Sequence, residues 1–171
     1  MKPWTPEPGI VSGEGRELAL SGLALAELMR AVLEKGVPFR FRAMGWSMVP
    51  LIHDGDVITV APLLDDLPHM GDVVAFVRPE TGKVVVHRIV ARWGDAWLIK
   101  GDNSNGEWDG LFSRGDLLGM VTAVERGGRM IRLGLGPERG LVALLSRSGL
   151  LLPLRQLLYP LLLLLPRRGA K

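Results

Sequence analysis

The chain predicts a mainly β fold, with a helix ahead of the sheet and a helical, Leu/Arg-rich tail behind it. Three observations carry this. Between Phe39 and about Arg132, short runs rich in Val, Ile and Phe recur between Gly-Asp pairs. Before them, apolar residues return near helical spacing. After them, leucines and arginines dominate from Leu141 to Pro166.

Taken in order, Met1–Gly15 is rich in Pro, Gly and Glu and reads as a flexible lead-in. Arg16–Lys35 reads as a helix: Leu18, Leu25, Leu28 and Val32 mark one side, and Glu27, Arg30 and Glu34 the other. Gly36 and Pro38 stop it. Strands are expected at Phe39–Ala43, Val57–Ala61, Val73–Val77, Lys83–Ala91, Ala96–Lys100 and Leu118–Glu125. Two of them follow an echo: His53-Asp-Gly-Asp-Val-Ile and His69-Met-Gly-Asp-Val-Val, sixteen residues apart. Gly accepts positive φ and Asp binds its own turn, so the echo reads as a repeated turn with His53 and His69 exposed, not as a metal site. Leu133–Gly140 is a Gly-rich connector that lacks the spacing of a phosphate loop. Leu141–Pro166 reads as helix, broken near Pro153 and Pro160. The units are therefore 1–15, a helix over 16–36, a β-rich domain over 39–132, and a connector with tail over 133–171.

Composition narrows the function classes. The 171 residues are 47% hydrophobic and 23% charged, as in one globular domain. No cysteine is present, which excludes disulfides, a cysteine nucleophile and cysteine-held zinc. Met1–Gly119 carries 12 Lys/Arg against 16 Asp/Glu, whereas Met120–Lys171 carries 9 against 2. Arginines among leucines favour a membrane surface, peripheral or interfacial, and no nucleic-acid partner is expected. The first fifteen residues hold no apolar core of a cleavable signal peptide, and no segment reaches the roughly 18–20 uncharged apolar residues of a span. A soluble cytoplasmic chain is the alternative location.

Three segments carry chemistry. Gly45-Trp-Ser47-Met48-Val-Pro50 puts a serine on a Gly/Pro-bounded loop. Such a loop lets the hydroxyl be approached while backbone N–H groups face an oxyanion. Val84-Val-Val-His87-Arg88-Ile-Val90 puts an imidazole in a strongly β-forming run; an unperturbed imidazole titrates near about 6.5, suited to general-base work. Lys100-Gly-Asp102-Asn103-Ser104, with Asp109 seven residues past Asp102, offers carboxylates to orient that base. Lys83, four residues before His87, faces the same side of a strand and is a rival base. Beside Gly82 in an expected hairpin turn, it is expected to be solvated.

These boxes, in this order from Phe41 to Val124, resemble the type I signal peptidases, the His-base branch of an S24/S26-like serine peptidase superfamily. The resemblance covers about half the chain. It implies a signal-peptidase/LexA-like coiled β-sheet domain and a serine endopeptidase that cleaves an extended leader or signal peptide after small residues. It further implies Ser47 as nucleophile and Ser47 N–H as oxyanion donor. His87 becomes the base, as in archaeal and endoplasmic-reticulum members, Asp109 the orienting carboxylate, and Asp102 a structural brace. The partner is a peptide or preprotein, and the chemistry needs no cofactor and no metal. Relatives that carry a serine two residues before the nucleophile gain a second oxyanion donor; Gly45 stands there in this chain. Family members also usually carry an amino-terminal membrane anchor, where this chain has the charged Arg16–Lys35 segment. Two alternatives share the scaffold: a self-cleaving regulatory peptidase of the SOS-repressor branch, which uses a Ser/Lys pair, and an inactive membrane-associated interaction module.

Overall fold

In a computed structural model the described residues are 9–13, 16–20, 22–63, 67–104, 106–151 and 153–154. The elements are β1 (Gly9–Gly13), β2 (Arg16–Leu20), α1 (Gly22–Leu33), β3 (Phe39–Arg42), β4 (Val57–Ala61), β5 (Val73–Arg78), β6 (Lys83–Trp93), β7 (Ala96–Lys100), β8 (Gly110–Phe112), β9 (Leu117–Arg126), β10 (Arg129–Ile131) and α2 (Arg139–Arg147). The strands form one antiparallel sheet in the order β2-β1-β3-β4-β9-β5-β6-β7-β8, with β10 paired to β9.

The six expected strands stand within two residues of their predicted bounds. The amino-terminal reading needs correction. Arg16–Leu20 is a strand, not the start of the helix, and Gly9–Gly13, inside the expected flexible lead-in, pairs with it and with β3. The pairing partner is supplied by tertiary contact, which local periodicity does not report. The helix is shorter than predicted and buries Leu25, Ala26, Met29 and Leu33, while Leu28 is exposed. Gly36, at φ +74°, terminates it. At the other end α2 begins at Arg139, inside the expected connector. The tail beyond residue 154, with Pro160, lies outside the described residues.

β5 alternates between two cores. Val73 and Ala75 face a cluster with Met29, Phe41, Ile58 and Val60, and Val74 and Phe76 face one with Ile89, Trp97 and Ile99. A strand buried on both faces explains its unbroken apolar run. Each fully buried side chain contributes about 1.5–3 kcal/mol of burial free energy.

The two Gly-Asp echoes are one turn built twice. The backbone N–H groups of His53 and His69 each donate to the carboxylate of the Asp three residues on, at 2.8 Å. Gly55 and Gly71 adopt positive φ between them. Each carboxylate then takes an arginine from elsewhere, Arg126 on Asp56 and Arg139 on Asp72. His69 is exposed as expected; His53 is half-buried.

Candidate active site

The loop after β3 presents Ser47. Ala43 and Asp56 close its base by a 2.7 Å backbone bond, and Gly55 N–H returns to Ala43 at 2.9 Å. Gly45 turns the chain at φ +97° and donates its N–H to Asp54 Oδ1 at 2.8 Å. Met48, Val49, Leu51 and Ile52 are buried and root the loop, which leaves Ser47 exposed above them. The Val49–Pro50 peptide bond is cis. Among the described residues, Ser47 N–H donates to no protein group.

His87 sits mid-way along β6 opposite Val74 and is 5% exposed, with the Phe76 ring edge-on at 6.2 Å. Its Nε2 lies 2.8 Å from Ser47 Oγ, and its Nδ1 lies 2.5 Å from Asp109 Oδ2. Asp109 is placed by its own N–H, which continues the β7–β8 ladder onto Ile99 O at 3.0 Å. Ser47, His87 and Asp109 thus form one hydrogen-bonded line drawn from three distant parts of the chain. That line sets the imidazole with Nδ1 toward the carboxylate and Nε2 toward the hydroxyl, the polarity that general-base chemistry requires.

Asp102 is not in that line. Its carboxylate, 0% exposed, receives Arg88 Nε at 2.9 Å and the terminal guanidinium nitrogen at 2.8 Å. Arg88 also donates to Gly71 O and Gly134 O. This pair braces the turn that abuts the site. Neighbouring Gly101 has no room for a side chain, since a Cβ there would stand 2.9 Å from Ser47 O and 3.0 Å from His87 Nε2. Asn103 ties the turn to the serine loop: its N–H donates to Ser47 O at 2.7 Å and its side-chain amide to Trp46 O at 3.0 Å. Lys100, also buried, donates Nζ to Ser146 O at 2.9 Å near the C-terminal end of α2. Burial pushes its ammonium down from the ordinary lysine value, against the opposing pull of Asp102.

The Asp109 carboxyl titrates below its ordinary value. Burial is the largest influence and pushes upward, but the hydrogen bonds and charges of His87 and then Arg78 together outweigh it. Arg78, whose guanidinium bonds Asp109 Oδ1, was not singled out by sequence reasoning. Its partner is thirty-one residues away, and no local pattern links them. Asn103 and Gly101 lay within a recognised box, but their contacts emerge only on folding.

The site opens into a cleft of about 770 Å³ lined by the serine loop, the start of β6, Ser104 and Glu107–Asp109. Lys83, expected to be solvated, is half-buried and lines this cleft, because Gly22 of α1 covers the hairpin end. Among the described residues no three His, Asp or Glu side chains converge on a point, and no helix is long and apolar enough to cross a membrane.

A family model described as Peptidase S24-like matches residues 18–110, more than half of the chain. The chain belongs to the Peptidase S24-like family. The matched span contains Ser47, His87, Asp102 and Asp109, so the hydrogen-bonded line lies wholly within the S24-like domain. Membership supports a serine peptidase or a LexA-like family member. No curated protein matches the chain.

Proposed function

We propose that this S24-like chain is a serine endopeptidase that cleaves an extended leader or signal peptide after small residues. The single observation that carries this is the line Ser47 Oγ–His87 Nε2, His87 Nδ1–Asp109, opening on a cleft. Ser47 Oγ attacks the scissile carbonyl as His87 takes its proton, which gives a tetrahedral oxyanion. His87 then protonates the leaving amine as the C–N bond breaks, which leaves the acyl-enzyme, and water repeats the sequence to release the acid. Ionised Asp109 stabilises the imidazolium in each half-reaction. Ser47 N–H serves the oxyanion. Gly45 adds no side-chain donor and its N–H is committed to Asp54, so a large part of the stabilisation rests on Ser47; one such donor is worth about 3 kcal/mol.

An extended substrate suits the cleft. β7 pairs with β6 only from Arg88 onward, so the cleft-lining stretch Val84–Val86 keeps an edge that β7 does not cover. A peptide pairing there runs toward His87. The preference for small residues at the −1 and −3 positions is an expectation of the signal-peptidase resemblance. The basic, leucine-rich carboxy-terminal region, with Leu141 and Leu144 exposed on α2, supports a peripheral membrane location.

A serine-directed acylating inhibitor tests the chemistry: the chain reacts at Ser47, and Ser47→Ala and His87→Ala do not. Absence of an adduct on the folded wild-type protein leaves the inactive-module reading instead. The S24-like match also favours a second reading, self-cleavage, and a Ser47-dependent fragment of the purified chain would establish it. Comparison of cellular amino termini with and without Ser47 identifies the substrate class. New termini that follow large or charged residues would overturn the leader-peptide part.

A further inference from the structure

Asp109 has two carboxylate oxygens, and each has its own partner. Oδ2 meets His87 Nδ1, and Oδ1 meets the Arg78 guanidinium. Arg78 is the last residue of β5, paired with Lys83 where the β5–β6 hairpin closes, while His87 sits further along β6. Its side chain is 40% exposed and that of Asp109 is 7% exposed, so the guanidinium stands between the carboxylate and water. Arg42, Glu80, Lys83 and Glu107 also line this cleft and contribute to the field at His87. Arg78 is bonded to the carboxylate itself.

Two consequences follow from that geometry. A carboxylate held at both oxygens cannot rotate away from the imidazole, so the tautomer with the proton on Nδ1 is maintained. The cation also shares the carboxylate charge that faces the imidazole, so the two partners compete for it. We infer that Arg78 is a positioning residue that governs the proton affinity of the His87–Asp109 pair and, through it, the pH range over which Ser47 is acylated. The acylation half of this rests on the proposed peptidase function; the proton-affinity half does not.

The experiment uses the full chain with Arg78→Met and Arg78→Lys, read in two ways. NMR titration follows the His87 ring, with His53 and His69 as internal references, and the pH dependence of Ser47 labelling by a fluorophosphonate follows the nucleophile. Arg78→Met should raise the His87 midpoint by at least about half a pH unit, since a cation beside the pair is gone. The acid limb of labelling moves with it, and the plateau falls about tenfold as the carboxylate loses its second anchor. Arg78→Lys keeps the charge, so it should hold the midpoint near wild type and recover part of the plateau. A purely structural role would lower the plateau and leave the midpoint in place. A His87 midpoint unmoved in folded Arg78→Met overturns the inference. Wild-type protein whose His87 responds as expected but whose Ser47 is never labelled overturns the peptidase reading alone.

Discussion

Two aspartate–arginine pairs flank the serine and histidine, and they do different things. Arg88–Asp102 has no exposed side-chain surface, and Arg88 is further saturated by two backbone carbonyls. Arg78–Asp109 sits at the cleft, with one partner half-open to water and the carboxylate shared with an imidazole. The pairing chemistry is the same in both. What separates them is the third partner: carbonyls make a brace, while a histidine that reaches a hydroxyl makes a reactive line. Removing one partner of the buried pair strands a charge, whereas removing one partner of the cleft pair lets water in.

The largest effects test that division at the reactive line. Ser47→Ala or His87→Ala should lower acylation by at least about 10⁴-fold with the fold intact, measured by inhibitor labelling and circular dichroism. Asp109→Asn should follow, losing about 10³–10⁴-fold in labelling rate while the protein remains folded at neutral pH. Asp102→Asn should do the opposite in kind: it leaves Arg88 buried without its counter-charge and costs about 3–5 kcal/mol in urea unfolding. If Asp102→Asn were as stable as wild type and merely slow, the two pairs would not differ as described.

A smaller effect comes from Gly101→Ala. Its Cβ presses on both Ser47 O and the His87 ring, so labelling should fall by about 10²-fold through misplacement of reacting groups. Equal labelling of this variant would show that the turn does not set the distance between hydroxyl and imidazole. The mildest effect concerns acid stability. Asp109 and Asp56 both titrate below the ordinary Asp value; burial pushes upward on each, and His87 with Arg78, or Arg126 with His53, outweigh it. A carboxyl lowered on folding contributes stability that is fully present above about pH 4 and is lost as pH falls through its lower folded value. Acid unfolding of wild type should therefore steepen below pH 4. Asp109→Asn should flatten part of that slope, and an unchanged slope would remove Asp109 from the account.

Legibility varied along the chain for physical reasons. Val73–Val77 and Val84–Val90 announce strands because β-branched residues suit a pleated, buried surface. The doubled His-x-Gly-Asp turn was readable because both of its requirements, positive φ and a carboxylate returning to the backbone, lie within four residues. Arg16–Leu20 misled: a strand held by pairing to β1 has the same apolar content as a helix start. Ser47 and His87 were named from ordered motifs. Asp109 was favoured over Asp102 by resemblance alone, since nothing in the residue types separates the two.

The sequence by itself determined the six central strands from Phe39 to Glu125, the Gly-Asp turns between them, and the residue types available for acyl transfer, because those depend on local propensity and composition. Only the tertiary structure decided which carboxylate meets the imidazole, that Arg78 stands behind it, and that Lys83 faces the cleft. Those outcomes depend on antiparallel register and on a coiled sheet that brings residues 47, 87 and 109 together, and distances of that kind are not encoded in any short stretch of chain.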